Sequence, residues 1–80
     1  MPSYNPPISH YSQVSIPDNL EKKDVFKFIG KSGINLIKLT EILEMKYIWW
    51  DINRNVIELW GFEKNHRRAC NKISHYLCTY

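Results

Sequence analysis

The spacing of apolar residues switches between two periods along the chain, and each switch marks the edge of an element. From His10 to Ile16 the order His-Tyr-Ser-Gln-Val-Ser-Ile puts Ser12, Val14 and Ile16 on one side of an extended segment, the period of two expected of a half-buried strand. Pro17 ends it. Asp18 followed three residues later by Glu21 forms an acidic version of a capping box, in which each side chain satisfies an amide that the first helical turn leaves without a partner. A helix is therefore expected from Asn19 to Ile29, with Val25, Phe28 and Ile29 on its apolar side and Phe26 at the margin. Helical spacing resumes after Gly33: Leu36, Leu39 and Leu43 share one face, and Lys38, Glu41 and Glu44 occupy the other. Beyond Met45 the chain becomes β-branched and aromatic. Lys46 to Ile52, then Asn53-Arg54-Asn55, then Val56 to Gly61 is the pattern of a tight antiparallel hairpin. From Phe62 onward, positions 62, 66, 69, 73, 76, 77 and 80 gather on one face of a last helix.

The resulting order is β-α-α-β-β-α. Three strands and three amphipathic helices bury their apolar faces together if all the helices cover one face of a three-stranded antiparallel sheet, an α+β fold. Residues 1–9 contain Pro2, Pro6 and Pro7 and read as a flexible lead, with a single domain over residues 10–80.

Eighty residues hold one core and at most one shallow site. Apolar residues are 44% and charged residues 24%, which places the chain with folded domains and not with disordered ones. The net charge of +3 mildly favours a polyanionic partner. Its placement matters more. Residues 19–45 carry five lysines against four carboxylates, whereas residues 61–80 carry Lys64, Arg67, Arg68 and Lys72 against Glu63 alone. The excess on the last helix is a second polyanion contact, a docking surface or the wet face of an amphipathic helix.

No stretch approaches the roughly 20 apolar residues of a membrane span, and the start of the chain lacks a signal-peptide pattern, so the cytoplasm or nucleus is expected. Cys70 and Cys78 would sit about 12 Å apart on one helix, beyond the ~7 Å limit of a disulfide. With no Cys-x-x-Cys pair and with His10, His66 and His75 scattered, neither structural zinc nor any other cofactor is expected. No Ser/His/Asp or Cys/His constellation can be assembled, and Gly-Lys-Ser-Gly lacks the glycine spacing of a nucleotide-binding loop, so an enzyme is not expected.

Between the first two helices lies Phe28-Ile29-Gly30-Lys31-Ser32-Gly33, followed by Leu36 and Leu39. A hydrophobic pair, Gly-x-x-Gly, and two aliphatic residues at these intervals resemble the signature of the K-homology (KH) family. The resemblance runs on through Ile48-Trp49-Trp50-Asp51 and Val56 to Gly61, covers about residues 10 to 78, and fits the eukaryotic-type arrangement, whose extra helix is C-terminal. It implies binding of short single-stranded RNA or DNA, with RNA the first expectation, the loop clamping the backbone of about four nucleotides. Gly30 and Gly33 would let a sugar-phosphate chain lie against the protein backbone, and Lys31 would add positive charge. Ser32 would either donate to a phosphate or cap the second helix. The implied groove has Ile29, Leu36, Ile48 and Trp50 as its floor, with Lys27 and Trp49 beside it. Phe26 stands where the family usually has a small residue, so its ring either fills the groove or stacks on a base. Thr40 replaces the long basic residue of some members, and Arg54 is the one candidate to substitute for the longer loop with which many members close the groove.

The same alternation suggests a second class of function. If Ile48, Trp50, Ile57 and Leu59 face the helices, then Tyr47, Trp49 and Trp60 lie on the open face of the sheet together with Asp51 and Glu58. Exposed tryptophans mark interfaces, so a protein-interaction or dimerisation module using that face and the last helix is the alternative, unless residues 4–8 cover it.

Overall fold

In a computed structural model, which describes residues 4–79, pairing along the hairpin decides the layers. Strand β2 (Tyr47–Asp51) runs antiparallel to β3 (Val56–Gly61), with Tyr47 opposite Trp60, Ile48 opposite Leu59, Trp49 opposite Glu58 and Trp50 opposite Ile57. Strand β1 (His10–Ser15) pairs with the other edge of β3, Ser12 opposite Leu59 and Val14 opposite Ile57. The order β1-β3-β2 makes β3 central and leaves β2 at an edge. Helices α1 (Lys22–Ile29), α2 (Ile34–Ile42) and α3 (Glu63–Thr79) complete the β-α-α-β-β-α order and the α+β fold. Ile48, Trp50, Ile57 and Leu59 form one core with Val25, Phe28 and Ile29 of α1, Leu36 of α2, and Ala69, Ile73 and Leu77 of α3. Ile57, Leu59 and Ile73 are wholly buried, each contributing about 1.5–3 kcal/mol through burial. Among the described residues no helix is long and apolar enough to cross a membrane.

Two helix boundaries differ from the sequence expectation. Residues 17–20 form a turn closed by the Leu20 N–H donating to the Pro17 carbonyl (3.1 Å), so α1 starts at Lys22 and not at Asn19. The N-cap is Glu21, whose own N–H donates to Asp24 Oδ2 (3.1 Å); the acidic pair at three-residue spacing is Glu21 and Asp24, one turn beyond Asp18. Helix α3 begins after Phe62, which is exposed, and its buried row is Asn65, Ala69, Ile73 and Leu77. Asn65 is tolerated there because its Nδ2 donates to the Glu44 carbonyl (3.0 Å). His66, displaced from that row, ties α3 to the sheet instead. Its Nε2 lies 3.1 Å from the Gly61 carbonyl, which can only accept, so in a neutral ring Nδ1 is left to accept from the Ser12 hydroxyl; Cys70 Sγ lies 3.4 Å from the same oxygen.

The outer face of the sheet is partly covered, which favours the alternative that residues 4–8 lie over it: Trp60 is buried, and Tyr47 and Trp49 are half-buried. Every residue of β3 is buried, Trp60 and Glu58 included. The lead is docked over this face: the Tyr4 ring packs edge-on against Trp49 and Trp60 (centroids 5.0 and 5.9 Å), the Asn5 N–H donates to the Tyr47 hydroxyl, and Ser9 Oγ donates to the Gly61 carbonyl. The Glu58 carboxylate accepts from the Tyr11 hydroxyl (2.6 Å) and from Arg54 Nη2 (3.0 Å).

Arg54 also closes the hairpin. Asp51 Oδ2 accepts from Arg54 Nε (2.7 Å), and Oδ1 accepts from the backbone N–H groups of Asn53 and Arg54. The guanidinium bond, with those amides, holds the Asp51 carboxyl below its ordinary pKa. A depressed folded-state pKa means that this contribution to stability is complete above the unfolded value and disappears as pH falls through the folded one. An NMR titration of Asp51 should show a midpoint below that of an unfolded-peptide aspartate, and Arg54→Ala should raise it; an unmoved midpoint in the variant would refute the assignment.

Candidate nucleic-acid interface

The loop between α1 and α2 consists mostly of backbone conformations that L side chains avoid. Gly30 has φ +81°, Ser32 φ +56° and Gly33 φ +75°, with Lys31–Gly33 forming a single 3-10 turn. Helix α1 is closed by the Gly30 N–H donating to the Phe26 carbonyl (2.9 Å). Gly30 is required twice over: a Cβ there would also stand 2.8 Å from Asn35 Nδ2. That amide donates to the Phe28 carbonyl (3.0 Å), so Asn35 fastens the first turn of α2 to the last turn of α1. Sequence reasoning passed over Asn35, although a lone amide next to Leu36 on the core side of a helix is a signal of such a tie. Ser32 does not cap α2. The N-cap position belongs to Gly33, among the described residues no side chain bonds there, and Lys31 and Ser32 are both exposed.

A groove of about 280 Å³ leads away from this loop between α2 and the edge strand β2. Its floor is Leu36 and Ile48, both buried, and Gly33 marks the loop end. Ile37 and Thr40 form the helix wall, Tyr47 and Trp49 the strand wall, and Glu41 and Lys46 the far end. The Thr40 hydroxyl donates to the Leu36 carbonyl (2.7 Å), so toward the groove it can act only as an acceptor. The Tyr47 and Trp49 rings are nearly parallel, 5° apart with centroids at 6.1 Å. As an edge strand, β2 also presents backbone donors and acceptors along this wall.

The expected contact residues divide between three places. Gly30, Lys31, Ser32 and Gly33 form the loop, and Leu36, Thr40, Ile48 and Trp49 line the groove that starts there. Phe26, Ile29 and Trp50 belong to a packed wall next to it: Phe26 stands edge-on over Trp50 with centroids 5.0 Å apart, and Ile29 is core. The residues that line the groove come from the loop, α2, Lys46 and β2, and none from α1. Among the described residues Trp50 Nε1 has no hydrogen-bond partner, although it is buried. Lys27 lies apart, beside a shallow depression it shares with Lys38 and Tyr76 between the three helices. Arg54 does not reach the groove, because Asp51 and Glu58 hold it on the outer face. Ile37 and Lys46 are groove residues that the motif does not mark; Ile37, an apolar residue off the core face of α2, carried the visible signal. Tyr47 and Trp49 line the groove, while Trp60, the third residue of the expected protein interface, lies beneath Tyr4.

Comparison with protein-family models, with curated proteins and with solved structures finds no match to this chain.

Two substitutions test the loop and the covered face. Gly30→Ala should cost about 1–3 kcal/mol in denaturant unfolding, whereas Ser32→Gly, which relieves a left-handed backbone, should be neutral or stabilising; equal losses would contradict the geometry. Tyr4→Ala should red-shift tryptophan emission and cost about 1 kcal/mol, and unchanged emission would mean that the lead is not docked.

Proposed function

We propose that this chain is a KH-type module that binds a short stretch of single-stranded nucleic acid, RNA first, without catalysis. The observation that carries this reading is the apolar groove that opens off the Gly30–Gly33 loop. A phosphate can approach the loop backbone because neither glycine places a Cβ in the way, and Lys31 supplies charge at that end. Bases then lie along Leu36, Ile37 and Ile48, with Tyr47 and Trp49 as the aromatic wall. The Thr40 oxygen and the β2 edge offer polar contacts to base edges. Phe26 acts as a wall, so the groove takes a strand in single file. The alternative, a protein-interaction module using the sheet face, has less support because Tyr4 covers that face.

Few phosphates are neutralised, so binding should be weak and should fall with salt. Titration of labelled short RNA by fluorescence anisotropy should give at least tenfold weaker binding for Lys31→Asp combined with Ser32→Asp, with an unchanged circular dichroism spectrum. Equal affinity for the two proteins would remove the claim.

A further inference from the structure

The positive charge of the molecule is concentrated away from the groove. Lys64, Arg68, Lys72 and His75 follow one another on α3 at spacings of four, four and three residues, with Arg67 three residues after Lys64 beside them, which places all five on a single exposed stripe. The stripe spans about 16 Å along the helix axis. Residues 64–80 include no Asp or Glu. Among the described residues Arg68 alone of these cations has an ion pair, with Glu44 at 3.9 Å, and Arg68 Nη2 is also committed to the Leu43 carbonyl (3.0 Å). An ordinary wet helix face mixes signs; this one sets Asn71 and His75 among the cations and carries no acidic side chain.

Position connects the stripe to the groove. The groove ends at Lys46, whose Nζ sits 4.7 Å over the Phe62 ring, and Phe62 immediately precedes the first turn of α3. Arg68 lies against the link between α2 and β2 that forms the same end. We propose that the α3 stripe is a second, sequence-independent contact for the phosphate backbone of the strand held in the groove, engaged as the strand leaves past Lys46. This rests on the groove reading above and extends the bound length beyond about four nucleotides. The α3 cations carry no base recognition, so the contact adds affinity and salt dependence and leaves sequence preference unchanged.

The experiment compares a short strand of about four nucleotides with a long one of about twelve, on the wild type, the Lys31→Asp/Ser32→Asp variant and a Lys64→Ala/Arg67→Ala/Lys72→Ala variant that spares Arg68. The stripe variant should bind the short strand within twofold of wild type and the long strand about tenfold more weakly, with the log-log salt slope reduced by about two. Wild-type affinity of the stripe variant for the long strand overturns the stripe and leaves the groove standing. Failure of the wild type to bind either strand at low salt overturns the groove and the stripe with it. Anionic phosphatidylserine vesicles are the control: a stripe variant that loses vesicle binding while keeping the long strand would assign the surface to lipid and overturn the proposal.

Discussion

Strand β3 has no solvent-facing side, and the rest of the molecule is arranged around satisfying both of its surfaces. Inward, Ile57 and Leu59 are wholly buried under the helices. Outward, Trp60 is enclosed by Tyr4, Tyr11 and Tyr47, and Glu58 is a buried carboxylate that must have donors. Tyr11 and Arg54 supply them, and burial together with that carboxylate pushes the Tyr11 hydroxyl above its ordinary pKa. Because Arg54 also bonds Asp51, the hairpin turn and the outer layer form one network. Strand β2, the wall of the groove, is held to the sheet only through β3, so the geometry of the candidate site depends on this two-sided burial.

The second constraint is local. Three of the four residues from Gly30 to Gly33 have positive φ, and Ser32 adopts that conformation with a Cβ, at a cost of about 1 kcal/mol. Such a loop persists only if its neighbours determine it. Asn35 bonding back to Phe28, with no space at Gly30 for a side chain between them, fixes the angle at which α2 leaves α1. That angle sets the helix wall of the groove.

Much of this was readable from residue order. Alternation in the hairpin assigned Ile48, Trp50, Ile57 and Leu59 inward because burial of a strand selects every second residue, and that pattern survives any choice of helix boundary. Boundaries themselves were less legible. Asp18 and Glu21 have capping-box spacing, as do Glu21 and Asp24, and only the turn over residues 17–20 decides between them. Asn65 occupies a core position that its polarity conceals, since its acceptor, the Glu44 carbonyl, lies 21 residues away. Arg54 lies in the hairpin turn, yet its side is set by two carboxylates three residues before and four residues after it. The lead was legible only as an alternative: coverage of the tryptophans by residues 4–8 could be named, but Tyr4 among prolines carries no periodic signal, and its packing on Trp49 and Trp60 is a tertiary fit.

Shape and charge are consequently separated on this molecule. The groove has a narrow apolar floor and a flexible-backbone residue type at its mouth, but within its walls Lys46 is offset by Glu41, leaving Lys31 at the loop end as the main uncompensated cation. A surface of that kind selects by fit and contributes little attraction at a distance. The α3 face has the opposite properties, with several exposed cations, hardly any carboxylates and no deep apolar floor. Attraction between exposed charges falls off over about 8 Å at physiological salt, so the α3 cations would act on a strand only near the end of the groove, where Lys46 lies over Phe62 and Phe62 adjoins the first turn of α3. On the proposed reading, attraction and fit would act on one extended polyanion in succession, which would let a domain with a net charge of only +3 hold a charged strand in an apolar slot.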